Sequence, residues 1–361
     1  MKLVSIRTID SKGSRLVDPV DPGEARLVDR HAREVRYLRV SLTDRCSMRC
    51  TYCMPPQGVE HVPRSEVLSL EEVVEVVAAF ARWGVARVRL TGGEPTLRRD
   101  LPWLIERLAR LQVGETGRAL QVVMTTNGER LEALARPLRA AGLSGLSVSL
   151  DSLDPERFAA ITRRDRLTRV VKGIEAAAEA GFGLKINTVA VRGFNDDELA
   201  QLCSFAWERG ATPRFIELMP MAGGQLFVPG ELMPAAEIRA ALAKHFDTEL
   251  DAEGRPDAPV GPAHYWRSTR GRSAGRRVGI IAAMTENFCA SCNRLRVSAT
   301  GQLHACLARD EAGDLRGALR SGRPGALAAA VAAALGEKRE RHAFELDGAG
   351  GPRKAMISIG G

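Results

Sequence analysis

The sequence predicts an α/β protein: an open six-unit (β/α) partial barrel followed by a smaller C-terminal region with its own cysteine cluster. Strand-like and helix-like segments alternate six times between residues 36 and 219, as expected of a parallel sheet with right-handed helical crossovers. The alternation stops near residue 220, two units short of a closed eight-unit barrel. Beyond it stand the turn-rich "DAEGRPDAPVGPAHY", an Ala-rich helical segment at 326–335 and a Gly-rich tail. The chain thus divides into a leader (1–26), a barrel segment (27–222) and a C-terminal region (223–361).

In chain order, the leader carries two Asp-Pro pairs and a glycine and reads as flexible. Strands are expected at 36–42 "RYLRVSL", 86–91 "ARVRLT", 120–125 "LQVVMT", 145–150 "GLSVSL", 184–191 "LKINTVAV" and 213–219 "PRFIELM". Between them, "SLEEVVEVVAAFARWG" opens on a capping box, Ser69 with Glu72, and closes at Gly84. "NDDELAQLCSFAWERG" repeats the device, with Asn195 ahead of Glu198 and Gly210 at the end. Cys203 shares a helical face with Leu199, Leu202 and Ala206 and reads as a small core residue.

Strands buried on both faces of a parallel sheet usually read as unbroken apolar runs. These alternate. Arg39 and Ser41 oppose Leu38, Val40 and Leu42; Arg87, Arg89 and Thr91 oppose Val88 and Leu90. Ser147 with Ser149, and Lys185 with Asn187, continue the polar face. With the apolar faces under the helices, the polar faces point into the lumen. Several cations there require an anion, because unpaired buried charge is very costly.

Composition is that of a globular protein, 45% hydrophobic and 27% charged over 361 residues. No apolar run approaches the roughly 20 residues that span a bilayer, and the N-terminus lacks a signal-peptide core, so the expectation is a cytoplasmic protein with no membrane partner. A net charge of +8 suggests a polyanionic partner, nucleic acid or a nucleotide, and the inward cations favour an internal polyanion over an external duplex.

Six of the seven cysteines fall into two trios. Cys46, Cys50 and Cys53 in "CSMRCTYCMPP" follow the first strand, at the end where barrel active sites are built. Three thiolates on a cubane iron–sulfur cluster leave one iron open to a substrate or cofactor. Zinc is the alternative, with His61 as fourth ligand. In "NFCASCNRLRVSATGQLHACL", Cys289, Cys292 and Cys306 fit either a second open cluster or a zinc site that includes His304. Arg294 and Arg296 follow on one face of an expected strand, suited to phosphate oxygens.

The CxxxCxxC spacing with Tyr52 before the last cysteine, and "TGGEP" after the second strand, resemble the motifs of radical S-adenosylmethionine (SAM) enzymes. With "TTNG", "SVSLDSLD", "RFIELMPM", the second trio and the terminal "MISIGG", the chain from Leu27 to Gly361 resembles the GTP 3′,8-cyclase family, the A proteins of molybdenum cofactor biosynthesis. The resemblance implies a partial TIM barrel of radical SAM type and two [4Fe-4S] clusters on Cys46, Cys50, Cys53 and Cys289, Cys292, Cys306. It implies SAM bound by Tyr52, Gly93, Ser149 and Met219, and GTP held by Arg39, Arg87, Arg89, Thr125, Lys185, Arg294 and Arg296. Arg39, Gly360 and Gly361 would stand at the reacting centre, the two glycines threaded in where side chains would clash. Asp151 and Glu217, at strand ends, read as ribose or backbone binders. The implied reaction converts GTP to 3′,8-cyclo-7,8-dihydro-GTP. In it a deoxyadenosyl radical would remove the ribose C3′ hydrogen, the C3′ radical would attack guanine C8, and reduction of the resulting aminyl radical would give the product. The implied partners are an electron donor such as flavodoxin or ferredoxin and, downstream, the cyclic pyranopterin monophosphate synthase; a homodimer is left open. The rival readings are a peptide maturase of the same superfamily and a zinc-containing nucleic-acid-binding protein.

Overall fold

A computed structural model describes residues 26–221, 227–253 and 261–359; the expected leader, apart from Arg26, lies outside them. Six strands form the parallel centre of the molecule: β1 (Tyr37–Ser41), β2 (Arg87–Thr91), β3 (Gln121–Thr126), β4 (Gly145–Ser149), β5 (Gly183–Ala190) and β6 (Thr212–Glu217). They lie side by side in chain order. The crossovers run through α1 (Leu70–Arg82), α2 (Leu101–Ala109), α3 (Leu131–Ala140), α4 (Pro155–Thr162), α5 (Leu167–Glu179) and α6 (Leu199–Glu208). This is the six-unit open barrel that the alternation predicts.

The apolar side of the alternation builds the core. Leu38, Val40, Val88, Leu90, Val122 and Met124 are buried with Val73, Val76, Val77 and Phe80 of α1. Ser69 caps α1 as expected: its hydroxyl accepts from Glu72 N–H at 3.1 Å while the Glu72 carboxylate accepts from Ser69 N–H at 2.7 Å. The second expected capping box does not form. Helix α6 starts only at Leu199, and the Asn195 side chain instead accepts from Val191 N–H and donates to the Asp151 and Val189 carbonyls. Glu198 turns away to Ser152 Oγ (3.0 Å) and Leu153 N–H (3.1 Å). Polar groups of the loop after β4 and of the end of β5 outcompete the helix end for these two side chains. Cys203 is fully buried beside Leu199 and Phe215.

Beyond residue 220 the structure differs from the expected separate region in one respect. The sheet continues into it at both edges. After α7 (Ala235–Phe246), β7 (Leu250–Ala252), β8 (His264–Ser268) and β9 (Arg277–Ile281) extend the β6 edge, with β9 parallel to β6. Then β10 (Arg294–Val297) pairs parallel with β1, and β11 (Gln302–His304) and β12 (Gly313–Asp314) complete that edge ahead of α8 (Leu315–Arg320) and α9 (Ala326–Gly336). The result is one 12-stranded sheet. Single-sequence periodicity reads each strand but not its neighbour, so a return to the far edge is invisible to it.

Glu217 joins the two segments. Fully buried at the end of β6, it accepts from Ala235 N–H at the start of α7 (2.8 Å) and from Met284 and Thr285 N–H (2.7 and 3.0 Å), and it also meets Thr285 Oγ1. Replacing it leaves buried donors without an acceptor, at about 1–3 kcal/mol each. Glu217→Ala is therefore expected to lower unfolding stability by roughly 3 kcal/mol or more. Urea denaturation against wild type measures it.

Candidate active site: two cysteine trios across a cation-lined cavity

Parallel pairing fixes where the two trios sit. Cys46, Cys50 and Cys53 follow the C-terminal end of β1, whereas Cys292 precedes β10, whose first residue, Arg294, registers with Tyr37 at the start of β1. Cys306 follows β11, which runs antiparallel to β10, and so returns to the same end as Cys292. The trios therefore lie at opposite ends of the strands. A five-residue strand spans about 16 Å. Both trios line one cavity of about 910 Å³, at the top of the range usual for ligand sites.

Between them, register stacks the cations. Arg296, Arg39 and Arg89 are consecutive partners across β10, β1 and β2, and Arg294, Tyr37 and Arg87 form the row below. Lys185 lines the cavity from β5. Arg89 is anchored from several sides: Nη1 donates to Thr125 Oγ1 (2.8 Å), Ser147 Oγ (3.0 Å) and the Met124 carbonyl (3.2 Å), and Nε meets Tyr37 OH. Burial, with Arg296 and Arg89 nearby, pushes Arg39 well below the usual guanidinium range. Burial and the Arg294 charge bring Arg296 down to about 10. Burial, with Arg214, Arg89 and Arg87 beside it, brings Lys185 to about 8. Each shift says that the charged form lacks stabilisation which a polyanion would supply.

All expected SAM contacts line the same cavity: Tyr52, Gly93, Ser149 and Met219. So do the seven expected GTP contacts. Gly93 has a packing reason for its identity, since a Cβ there would stand 2.2 Å from the Arg45 carbonyl oxygen and 2.8 Å from Ile357 Cδ1. Next to it, Glu94 is fully buried and ties two strand ends together, accepting from Thr96 N–H (3.0 Å), Thr96 Oγ1 (2.6 Å), Thr126 Oγ1 (2.7 Å) and Asn127 N–H (2.7 Å). Asp151 accepts from Tyr52 OH and Val189 N–H, both at 2.8 Å, and so holds the motif tyrosine; burial pushes its carboxyl up to about 6.

Gly360 and Gly361 lie outside the described residues. The segment leading to them reaches the first trio: Met356 N–H donates to the Cys53 carbonyl at 3.2 Å, and Ala355 and Ile357 are buried with Met54.

Sequence reading passed over Arg214 and Tyr37. Arg214 Nε donates to Asn187 Oδ1 and its Nη2 to Ser147 Oγ, both at 2.9 Å. The signal was present, because Arg214 stands on the Thr212 and Ile216 face of "TPRFIE", as Tyr37 stands on the Arg39 face. Gly279, the β9 partner of Arg214, makes room for it: a Cβ there would meet Arg214 Cγ at 2.9 Å.

The donor sets suit iron–sulfur clusters better than zinc. His61 is bound to Asp44 at 3.2 Å, and neither His61 nor His304 is among the cavity-lining residues. Among the described residues no three His, Cys, Asp or Glu side chains gather tightly enough for a single ion. Burial, with Glu94 nearby, pushes the Cys46 thiol up to about 11; burial with Cys46 pushes Cys53 to about 12, and burial with Asp151 pushes Cys50 well above its ordinary value, so a cationic centre among them is what would hold all three as thiolates. Burial also opposes the Cys292 thiolate, but Arg294 and Lys338 outweigh it and bring the thiol down to about 6.

The radical SAM superfamily model matches residues 40–206, and the molybdenum cofactor synthesis C model matches 211–344. A GTP 3′,8-cyclase of Rhizobium etli is 41% identical over 89% of each chain, and one of Ectopseudomonas mendocina is 43% identical over 89% of this chain and 94% of its own. The crystal structure of Streptococcus suis SuiB superimposes with a TM-score of 0.55 at 15% identity, covering 81% of this chain and 70% of that one, a likeness of fold. Fold and site define a radical SAM protein. Within that class, the chain belongs to the GTP 3′,8-cyclase family.

Iron and sulfide content tests the donor sets. Replacing Cys46, Cys50 and Cys53 together by Ala is expected to remove about half of the bound iron and sulfide after anaerobic reconstitution, and the same change at Cys289, Cys292 and Cys306 the other half. Cys203→Ala, away from both trios, keeps all of it.

Proposed function

We propose that this chain converts GTP to 3′,8-cyclo-7,8-dihydro-GTP, the radical step that opens molybdenum cofactor biosynthesis. The observation that supports this reading best is the placement of two incomplete cysteine sets at opposite ends of one cavity with a cation field between them. When bound, the first cluster with SAM would supply a 5′-deoxyadenosyl radical to take the ribose C3′ hydrogen; the C3′ radical would bond to guanine C8, and one electron and one proton would then convert the resulting nitrogen-centred radical to the dihydro product. The residues of the chain do the positioning. Tyr52, Gly93, Ser149 and Met219 hold SAM at the C-terminal ends of the strands. Arg39, Arg87, Arg89, Thr125, Lys185, Arg294 and Arg296 hold GTP, with the base toward the second trio. Fixing both reactants in one lumen supplies orientation worth several kcal/mol of barrier and shields the radical from water.

An acidic carrier such as flavodoxin or ferredoxin delivers the electron. Arg49 lies in the first cysteine loop and Arg163 is bound to that loop, its Nη1 donating to the Arg49 and Met54 carbonyls at 2.8 and 3.2 Å. A positive rim of this kind steers an acidic partner. The product passes, in the cytoplasm, to the synthase that makes cyclic pyranopterin monophosphate. Among the described residues no helix is long and apolar enough to cross a membrane.

Cys46→Ser, Cys50→Ser or Cys53→Ser is expected to abolish SAM cleavage, measured as 5′-deoxyadenosine release. Arg294→Ala or Arg296→Ala is expected to weaken GTP binding by about tenfold to a hundredfold, the worth of a charge-assisted contact, while SAM cleavage uncoupled from cyclisation persists. Full cyclisation by the double variant would refute the phosphate role.

GTP affinity should also fall as pH rises through about 8, where Lys185 loses its proton. Tyr37 adds to the effect: burial raises its phenol, but Arg89 and Arg39 bring it to about 8, so its charge turns negative over the same range. Equilibrium binding of GTP between pH 6 and 10 checks this, and Lys185→Arg should flatten the profile.

A further inference from the structure

Behind the second trio, on the side away from the cavity, lies a buried group of charges that the reaction does not touch. Asp29, Arg33 and Lys338 are 4%, 8% and 2% exposed, and none of the three lines the cavity. The Asp29 carboxylate accepts from Arg33 Nε at 2.7 Å and from the His31 and Arg33 amides at 2.9 and 3.1 Å; Lys338 Nζ stands 3.7 Å from it. The remaining donors of both cations go to main-chain carbonyls of the cysteine loop and of the segment beside it. Arg33 Nη1 donates to Cys289 O and Glu340 O, both at 2.9 Å, and Nη2 to Arg339 O at 2.7 Å. Lys338 Nζ donates to Cys292 O at 3.2 Å and Arg294 O at 3.1 Å.

Two cations share one carboxylate. The group thus carries one net positive charge in a place where water cannot screen it, and buried net charge persists only opposite a counter-charge. Carbonyl dipoles supply part of that counter-charge. The rest is the anionic centre that the carbonyl-bearing residues Cys289 and Cys292 help to ligate. A four-iron cluster on three thiolates is anionic when oxidised and gains one more negative charge on one-electron reduction. A fixed positive charge behind its ligands therefore stabilises the reduced form more than the oxidised form.

We infer that Lys338, held by the Asp29 carboxylate and the Cys292 and Arg294 carbonyls, is a positioning residue that sets the reduction potential of the second cluster, raising it from outside the substrate cavity. The N-terminal hairpin around Asp29 and the residue after α9 thus reach the cluster together, from opposite ends of the chain. The inference rests on the reading of the second trio as a [4Fe-4S] site.

The test is an EPR-monitored redox titration of the anaerobically reconstituted full chain, with dithionite and mediators supplying the electron. A variant with Cys46, Cys50 and Cys53 replaced by Ala assigns the second cluster's signal. Lys338→Met is expected to move the second cluster's midpoint to more negative potential and leave the first cluster's unchanged, and Lys338→Arg to restore it. Asp29→Asn removes the negative member and should shift the midpoint the opposite way; this variant decides the matter if Lys338→Met fails to assemble the cluster. A second cluster whose midpoint ignores both changes, or moves in the same direction for both, overturns the inference alone. A wild-type chain with zinc or nothing at the second trio overturns the reading on which it rests.

Discussion

Side chains at matched positions of neighbouring parallel strands point the same way, and here that rule puts Arg296, Arg39 and Arg89 side by side in one row. Like charges directly across a sheet repel, and burial removes the water that would screen them. Such a row is tolerable only around an anion. The cavity is shaped by this requirement: hydroxyls of Thr125, Ser147 and Tyr37 fix the guanidinium of Arg89, which lines the cavity with Arg39 and Arg296. The row is completed only because β10 returns from the C-terminal region to pair with β1. The same pairing that places Arg294 and Arg296 also puts the second trio at the far end of the lumen. One register thus determines both the charge field and the separation of the metal sites.

Much of this was legible in the sequence, because the polar alternation reflects the two-residue period of a strand and the strand–helix alternation reflects parallel crossover connections. Arg39, Arg89 and Lys185 could be assigned to one interior before any coordinates. The cysteine spacings were legible too, as short-range patterns within single loops. What periodicity could not supply was long-range pairing. Nothing in "RLRV" says that it lies against β1, and nothing in "RRVGII" says that β9 lies against β6. The failed Asn195 cap has a related cause: a polar residue before a helix fits a cap motif equally well when a buried loop needs its hydrogen bonds more. Asp29, Arg33 and Lys338 were silent for the same reason, since their charges meet only through the tertiary fold.

The carboxylates of the site complete the picture. Glu94, Asp151 and Glu217 all stand at or just beyond the C-terminal ends of strands, where a barrel enzyme commonly keeps its acids and bases. None is free to act as one. Glu94 and Glu217 are saturated by amide and hydroxyl donors, and Asp151 is bound by the Tyr52 hydroxyl and the Val189 amide. Among the described cavity-lining residues only Asp151 and Glu253 are acidic, and Glu253 is engaged by Arg267 and Arg277, each at 2.7 Å. Among the described cavity-lining residues, then, neither carboxylate is without a hydrogen-bond or ion-pair partner. Removal of a hydrogen atom needs no base, only a radical held at the right carbon. The chain accordingly uses its buried carboxylates to hold backbone while its cations line the cavity, an arrangement built for placing an anionic reactant rather than for moving protons.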